Sequence, residues 1–364
     1  MFSALLARLR LAPFFLVLAM PDPTVLQAKL DEVLGRIAIA SPGTVFAAPR
    51  RAGFQPAAEA RVEPPPLPAT IAPEGDDGSD RRVEPATWYL MTAVARHLWG
   101  GGDGPAALAA LAGWAQTRAL ERLEPAGPKE TLTRSRYTLK RALLPLIAGY
   151  AVLRRDLDPP EPARQLIEGW LGRLTDLASP LDGPITARNN HRYMRDAVLI
   201  AWGALSGDTA RFRDGIAGSL EAIAAMRADG AWPLEIGRGE RALWYQRHAL
   251  ASLTASAEIS AAHGIDLWSV EIEGRSLHLA VGWLLDALAA KPADQDLGFL
   301  VRRGNGRHYM AWAEAYVARF PGRIEARRLA GLLATAPRPL VDDYSGGDVA
   351  ALLGLPAADA GQGI

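Results

Sequence analysis

Residues 191–228 read HRYMRDAVLIAWGALSGDTARFRDGIAGSLEAIAAMRA, and this stretch decides the fold class. Apolar residues recur at helical spacing on both sides of Gly207-Asp208, which predicts one helix over 191–206 and a second over 208–228. Two helices of this length joined by so short a turn form an antiparallel helical hairpin.

The same alternation of helix and short turn fills the chain from Pro85 onward. Leucine and alanine dominate, and β-branched runs with a period of two are nearly absent. The predicted helices span 85–99, 105–123, 135–155, 161–178, 191–206, 208–228, 240–263, 270–290, 307–320 and 322–334. The sequence therefore predicts an all-α protein, with the hairpins arranged as an incomplete α/α toroid. A solenoid or an irregular bundle is the alternative, because the pattern alone does not prove closure.

The segments outside this array divide the chain further. Arg8 and Arg10 precede an apolar run from Leu11 to Met20, which predicts a signal peptide over 1–20 and export to the periplasm or the medium; a buried first helix is the alternative. Residues 21–84 are predicted to hold a helix over 24–38 and then a proline-rich extended arm or lid, or a linker. The toroid domain is placed at 85–340, and residues 341–364 are expected to be a C-terminal tail that is loose at its end.

Composition limits the chemistry. The chain has 364 residues with 40 basic and 40 acidic side chains, so its overall charge does not favour nucleic acid. It has no cysteine, which excludes disulfides, cysteine-rich zinc sites and thiol nucleophiles. We expect no metal, no cofactor, no membrane insertion and a monomer. Arginines cluster within 188–195 and 238–247, which suits an anionic polymer.

Two polar segments are the candidates for chemistry. Arg188-Asn189-Asn190-His191-Arg192-Tyr193 closes a loop and opens a helix, so one asparagine can cap that helix while the other amide faces a ligand. In the second segment, Leu234 to Leu250, Arg241, Tyr245 and His248 are spaced four and three apart, which places them on one helical face. A solvated face, or pairing of the arginine with Glu235 or Glu240, is the alternative for the second segment.

Together these segments resemble the alginate lyases of polysaccharide lyase family five, the poly(β-D-mannuronate) lyases. The resemblance rests on Asn189-Asn190-His191-Arg192-Tyr193 and on Trp232 to Leu250, and it covers residues 85–290. It implies an α/α toroid and cleavage of a uronate polymer by β-elimination, which leaves 4,5-unsaturated ends. One departure is expected: counted seven residues after Arg241, the family's catalytic tyrosine falls at His248, while Tyr245 is retained.

β-Elimination explains these residue types. The C5 proton of a uronate is weakly acidic because the neighbouring carboxylate is charged, so donors that neutralise this carboxylate stabilise the transition state. Asn190 and Arg241 are the predicted donors, His191 the predicted base, and Tyr245 or His248 the predicted acid. Predicted substrate contacts are Arg188, Asn189, Tyr193, Glu235, Arg238 and Trp244.

The predicted partner is an anionic polysaccharide, either alginate or a related glucuronate-containing exopolysaccharide. Two rivals remain open. One is a catalytically silent polysaccharide-binding or export-assisting protein. The other is a toroidal glycoside hydrolase, which needs a pair of acids across the cleft; Glu235, Asp196 and Asp229 are the available carboxylates.

Overall fold

The protein is described by a computed structural model over residues 22–46, 63–74, 79–290, 310–334, 336 and 339–355. The predicted signal peptide lies outside these residues. The helices are α1 (Pro23–Leu34), α2 (Glu84–Trp99), α3 (Gly104–Gln116), α4 (Thr133–Leu157), α5 (Glu161–Ala178), α6 (Asn190–Ser206), α7 (Thr209–Ala224), α8 (Pro233–Ile236), α9 (Ala242–Ala261), α10 (Leu277–Ala290), α11 (Trp312–Arg319), α12 (Ile324–Leu333) and α13 (Val349–Leu352). Two short strands, β1 (Thr70–Ile71) and β2 (Arg122–Leu123), pair in parallel.

The helices form two layers of antiparallel hairpins. The inner helices α4, α6 and α9 are buried over most of their length and pack side by side. Each of them packs against the helix that follows it in the chain, α5, α7 and α10 respectively, which buries one face and leaves the other in solvent. The prediction of an all-α toroid of hairpins is confirmed. No helix in the described ranges is long and apolar enough to cross a bilayer.

Small residues allow α9 to lie at the centre of the array. Its buried hydroxyl side chains return to carbonyls of their own helix: Thr254 donates to Ala251 O at 2.8 Å and Ser260 to Ser256 O at 2.6 Å. These bonds satisfy the hydroxyl groups without a partner from another helix. Neighbouring helices can therefore pack closely around α9 at Thr254 and Ser260.

Two helix boundaries differ from the prediction for local reasons. Helix α3 ends at Gln116 rather than at 123, because Arg118 and Leu120 adopt positive φ angles of 54° and 62° and the chain then pairs with β1. Helix α10 begins at Leu277 rather than at 270, because Glu273 and Gly274 form a turn with φ angles of 47° and 76°. Helix α1 ends at Leu34 and is capped by Asp22 rather than by Thr24.

The C-terminal segment belongs to the domain, contrary to its placement in a tail. Residues from Leu340 to Leu352 are buried, and α13 contacts both α11 and α2. Asp342 accepts hydrogen bonds from the N–H groups of Ala311 at 3.0 Å and Ser345 at 2.7 Å, which fixes the segment to the start of α11. The segment therefore fills the space between the last inner helix and the first. The predicted loose end, 356–364, lies outside the described residues.

The last part of the arm packs against α4. The Asp80 N–H donates to Thr138 Oγ1 on α4 at 3.0 Å, and the Asp80 carboxylate accepts from the Ala72 N–H at 2.9 Å. Thr138 is the neighbour of Tyr137, which lies in the candidate site described below. The arm thus lies along one wall of that site.

Gly218 on α7 allows the closest approach between the two layers. A Cβ atom at this position would lie 1.9 Å from Asp196 Oδ2 on α6, and Asp196 is fully buried and bonded to Arg192 and Arg195. The carboxylate cannot move aside without breaking these ion pairs.

Replacing Gly218 with alanine is expected to destabilise the fold by about 3 kcal/mol or more through overpacking. The matched control is Gly113→Ala on α3, where the added Cβ meets nothing within 4 Å. This control should stabilise by up to about 1 kcal/mol, since alanine favours a helix. Urea denaturation of both variants measures the difference, and equal stabilities would contradict the close approach of α6 and α7.

Candidate active site

The site begins at the first turn of α6. Asn189 caps the helix: its side-chain oxygen accepts from the His191 N–H at 3.0 Å, and Asn189 itself is buried. Asn189 is thus the capping asparagine, and Asn190 is left to make longer-range contacts. Asn189 serves the helix rather than a ligand.

Glu235 on α8 holds the same turn from the other side. Its Oε1 accepts from the Asn190 backbone N–H at 2.7 Å, and the side chain is fully buried. Burial raises the pKa of Glu235 to about 7, although the Asn190 bond and the charge of Arg238 oppose the rise. Glu235 is therefore a support for α6, and its predicted contact with substrate is not supported by its position.

His248 on α9 orients the Asn190 amide. Asn190 Nδ2 lies 3.3 Å from His248 Nδ1, so the amide donates and a neutral His248 carries its proton on Nε2. Burial, and then the charges of Arg141, His191 and Arg238, lower the pKa of His248 well below its usual value. A fully buried neutral imidazole suits a positioning role better than that of the acid.

Tyr245 and Arg238 lie together at the edge of the site. The Arg238 guanidinium carbon is 4.4 Å from the centre of the Tyr245 ring, whereas that of Arg241 is 5.8 Å away. Arg241 is exposed, whereas Arg238 is half-buried. The positive charge of Arg238 acts to lower the pKa values of His191, Glu235 and His248. Residues 239–241 form a 3-10 turn and α9 begins only at Ala242, so the helical spacing that relates Tyr245 to His248 does not extend to Arg241.

His191 is half-buried beside an aromatic residue that the sequence analysis did not select. Its ring centre lies 5.1 Å from that of Tyr137 on α4. Burial, and then the positive charges of Lys140 and Arg238, lower the pKa of His191 to about 3. His191 Nδ1 is buried and has no hydrogen-bond partner among the described residues. The imidazole is therefore neutral near pH 7 and able to accept a proton.

The C-terminal segment supplies a second missed residue, Tyr344. Its hydroxyl lies 2.5 Å from that of Tyr137, and its ring centre is 3.6 Å from the His248 ring. Arg141 lies over both tyrosine rings and binds Asp343 at 2.8 Å. Tyr137, Lys140 and Arg141 are spaced three and four residues apart, so they share one face of α4, and this spacing is visible in the sequence. No such spacing marks Tyr344.

The other residues predicted to contact substrate differ in their burial and position. Tyr193 lies in the core, where its hydroxyl donates to Arg188 O at 3.1 Å and its ring contacts Trp232, so it does not face the site. Arg188 is exposed at the entrance of α6. Trp244 is half-buried, with its ring centre 4.7 Å from Tyr245 and 5.9 Å from His248.

The carboxylates do not form the acid pair that a hydrolase needs. Glu235 and Asp196 are both fully buried, and each is held by the contacts described above. Asp229 is exposed and pairs with Arg227 at 2.7 Å. The groups that the structure brings together are instead an amide, an imidazole, a guanidinium and a phenol, supplied by Asn190, His191, Arg238 and Tyr245.

Part of the chain is similar in sequence to known proteins. The alginate lyase family model matches residues 139–295. This match confirms the resemblance, and both motifs lie within it. A polysaccharide lyase from Stenotrophomonas maltophilia is 33% identical over 136 residues, which are 36% of this chain and 40% of that protein. An alginate lyase from Cobetia marina is 30% identical over 105 residues, 28% of each chain. The aligned part thus spans less than half of either relative.

Structural comparison extends the likeness to nearly the whole chain. Alginate lyase A1-III from Sphingomonas species A1 superposes with a TM-score of 0.61 at 21% identity, covering 95% of this chain and 100% of that one. An alginate lyase from Bacteroides ovatus gives a TM-score of 0.55 at 14% identity, covering 91% and 92%. At these identities the superpositions establish the fold, the α/α toroid. A tyrosine-to-phenylalanine variant of A1-III superposes equally well and is complexed with tetrasaccharide.

The buried carboxyl of Glu235 predicts a pH effect on stability. Folding raises its pKa from 4.5 to about 7, so the folded state holds the proton more tightly than the unfolded chain. This contribution is fully present below about pH 4.5 and is lost as pH rises to about 7. Glu235→Gln cannot ionise but keeps the acceptor for Asn190. Its Tm should therefore fall less than the wild-type Tm between pH 5 and pH 8.

Thermal melts at both pH values measure this difference. Asp196 and Asp342 also have pKa values raised to about 7 by burial, so the variant should retain part of the decline. An identical decline in the two proteins would show that Glu235 is not the buried carboxyl described here.

Proposed function

We propose that the protein is a polysaccharide lyase that cleaves a uronate polymer, alginate or a related glucuronate-containing polysaccharide, by β-elimination. The observation that carries the proposal is the convergence of Asn190, His191, Arg238 and Tyr245 at one site of an α/α toroid. The match of residues 139–295 to alginate lyases supports it. Activity in the periplasm or the medium is part of the proposal and rests on the apolar run Leu11–Met20.

The first step is to neutralise the substrate carboxylate. Arg238 and the Asn190 amide bind the carboxylate on C5, and this lowers the cost of forming the carbanion there. We assign this role to Arg238 rather than to Arg241, because only the former is half-buried and near His191. Arg238 and Tyr245 are themselves seven residues apart. With this arginine the expected spacing leads to Tyr245, and no departure at His248 is needed.

The second step moves two protons. Neutral His191 takes the proton from C5, the C5 electron pair forms the C4=C5 double bond, and the bond from C4 to the glycosidic oxygen breaks. Tyr245 donates its hydroxyl proton to the departing oxygen. The guanidinium carbon of Arg238 lies 4.4 Å from the centre of this ring, so a cation is next to the group that gives up the proton. Solvent exchange returns both groups to their starting states.

The direct test is incubation of the protein with polymannuronate, polyguluronate and glucuronate-containing polymers while the ultraviolet absorbance of the conjugated double bond is recorded. We expect absorbance to rise with at least one polymer. Tyr245→Phe should lower kcat by about 100-fold or more, as expected for loss of a general acid. Chain cleavage without absorbance would favour a hydrolase, and binding without cleavage would favour a silent binding protein.

If Arg238 binds the substrate carboxylate, replacing Arg238 and replacing Arg241 should have different effects. Arg238→Ala should reduce kcat/KM by about 100-fold or more, because it removes a donor to the developing charge. Arg241→Ala removes an exposed charge three residues away and should reduce kcat/KM by less than about 10-fold. Steady-state kinetics on the same polymer give both values, and the reverse order would restore the assignment to Arg241.

A further inference from the structure

The cation Lys140 lies in the interior of the toroid, one turn after Tyr137 on α4. Only 2% of its surface is exposed. Lysine is rarely buried to this degree unless an acid pairs with it. Among the described residues, however, the Lys140 ammonium makes neither a hydrogen bond nor an ion pair.

The acids around Lys140 are already bound to arginines. Asp182 pairs with Arg136, and Asp196 pairs with Arg192 at 3.3 Å and with Arg195 at 2.8 Å. These carboxylates and the guanidinium groups of Arg136 and Arg195 are the charges that act on Lys140 within its surroundings. The local balance is therefore positive, and among the described residues no carboxylate pairs with the Lys140 ammonium.

The charge of Lys140 acts directly on the candidate base. It is the larger of the two cationic influences that lower the pKa of His191, the other being Arg238. Two cations supplied by different elements thus act on one imidazole. A polymer that brings a carboxylate to each cation would relieve His191 of both charges and make it a stronger base when substrate is bound.

We propose that Lys140 is an anion subsite that binds the carboxylate of the sugar next to the one that reacts. This inference rests on the proposed function, since it takes Arg238 as the residue that binds the carboxylate of the reacting sugar. A buried ammonium without an acid is costly unless a ligand supplies the counter-charge. Lys140 would then select polymers that carry carboxylates on consecutive sugars over polymers in which uronates alternate with neutral sugars.

The test measures binding apart from turnover. In the slow Tyr245→Phe background, calorimetry gives the Kd of a mannuronate tetrasaccharide. Adding Lys140→Met should raise this Kd about tenfold or more, as expected for loss of a charge-assisted contact. Lys29→Met on α1, which removes a partly exposed lysine paired with Glu32 at 2.6 Å, is the matched control and should leave the Kd unchanged.

Two further readouts separate binding from a structural role. Removing a buried charge that lacks an acid should leave the Tm unchanged or raise it, whereas a structural lysine would lower it. Burial lowers the pKa of Lys140 to about 8, so the Kd of the parent should rise as pH increases above 8, and the Lys140→Met protein should lack this rise.

A Kd within twofold of the parent, or an unchanged pH dependence in the Lys140→Met protein, would overturn the subsite. Failure of the proposed function is a different result. It would appear as the absence of unsaturated products from the wild-type protein on every uronate polymer, and it is established before the binding experiment begins.

Discussion

The site depends on Asn190 being held from two directions. Its backbone N–H is bonded to Glu235 on α8, and its side-chain amide is bonded to His248 on α9. The start of α6 is thereby fixed to two segments that follow it by more than forty residues in the chain. The position of His191 follows, because it is the next residue on the same helical turn.

Burial gives this arrangement its electrostatic character. Inside the toroid the charged forms of histidine and glutamate are disfavoured, so His191 and His248 are neutral and the pKa of Glu235 rises to about 7. The cations Arg238 and Lys140 remain charged in the same region. An interior with neutral bases and uncompensated cations is suited to a polyanion, because its carboxylates supply the negative charge that the cations lack. The C5 proton of the bound sugar can then be taken by a neutral imidazole.

The sequence was informative where one helix or one turn determines the outcome. The hairpin over 191–228 and a helix cap at the start of α6 follow from local spacing, whereas the two polar segments were joined into one site by the family resemblance. The choice between Arg238 and Arg241 could not be made from local spacing. The prediction extended helical periodicity through 239–241, but Gly239 has a φ of 60° and a 3-10 turn forms there instead. The predicted helix therefore began too early and wrongly included Arg241.

Contacts made over long distances in the chain were beyond this kind of reasoning. Tyr344 lies in a stretch rich in glycine and aspartate, whose composition is typical of a loop, and only its packing against Tyr137 and His248 shows its place in the site. Likewise, a lysine on a helix with several arginines is usually solvated. Lys140 is buried because α4 is an inner helix, which is a property of the assembled toroid.

A crystal structure of the Tyr245→Phe protein with a mannuronate tetrasaccharide would test the central claim most directly. We expect one sugar carboxylate within hydrogen-bonding distance of both Arg238 and the Asn190 amide, with C5 of that sugar facing the His191 ring. A tetrasaccharide whose carboxylate binds Arg241, or whose C5 faces away from His191, would contradict the account.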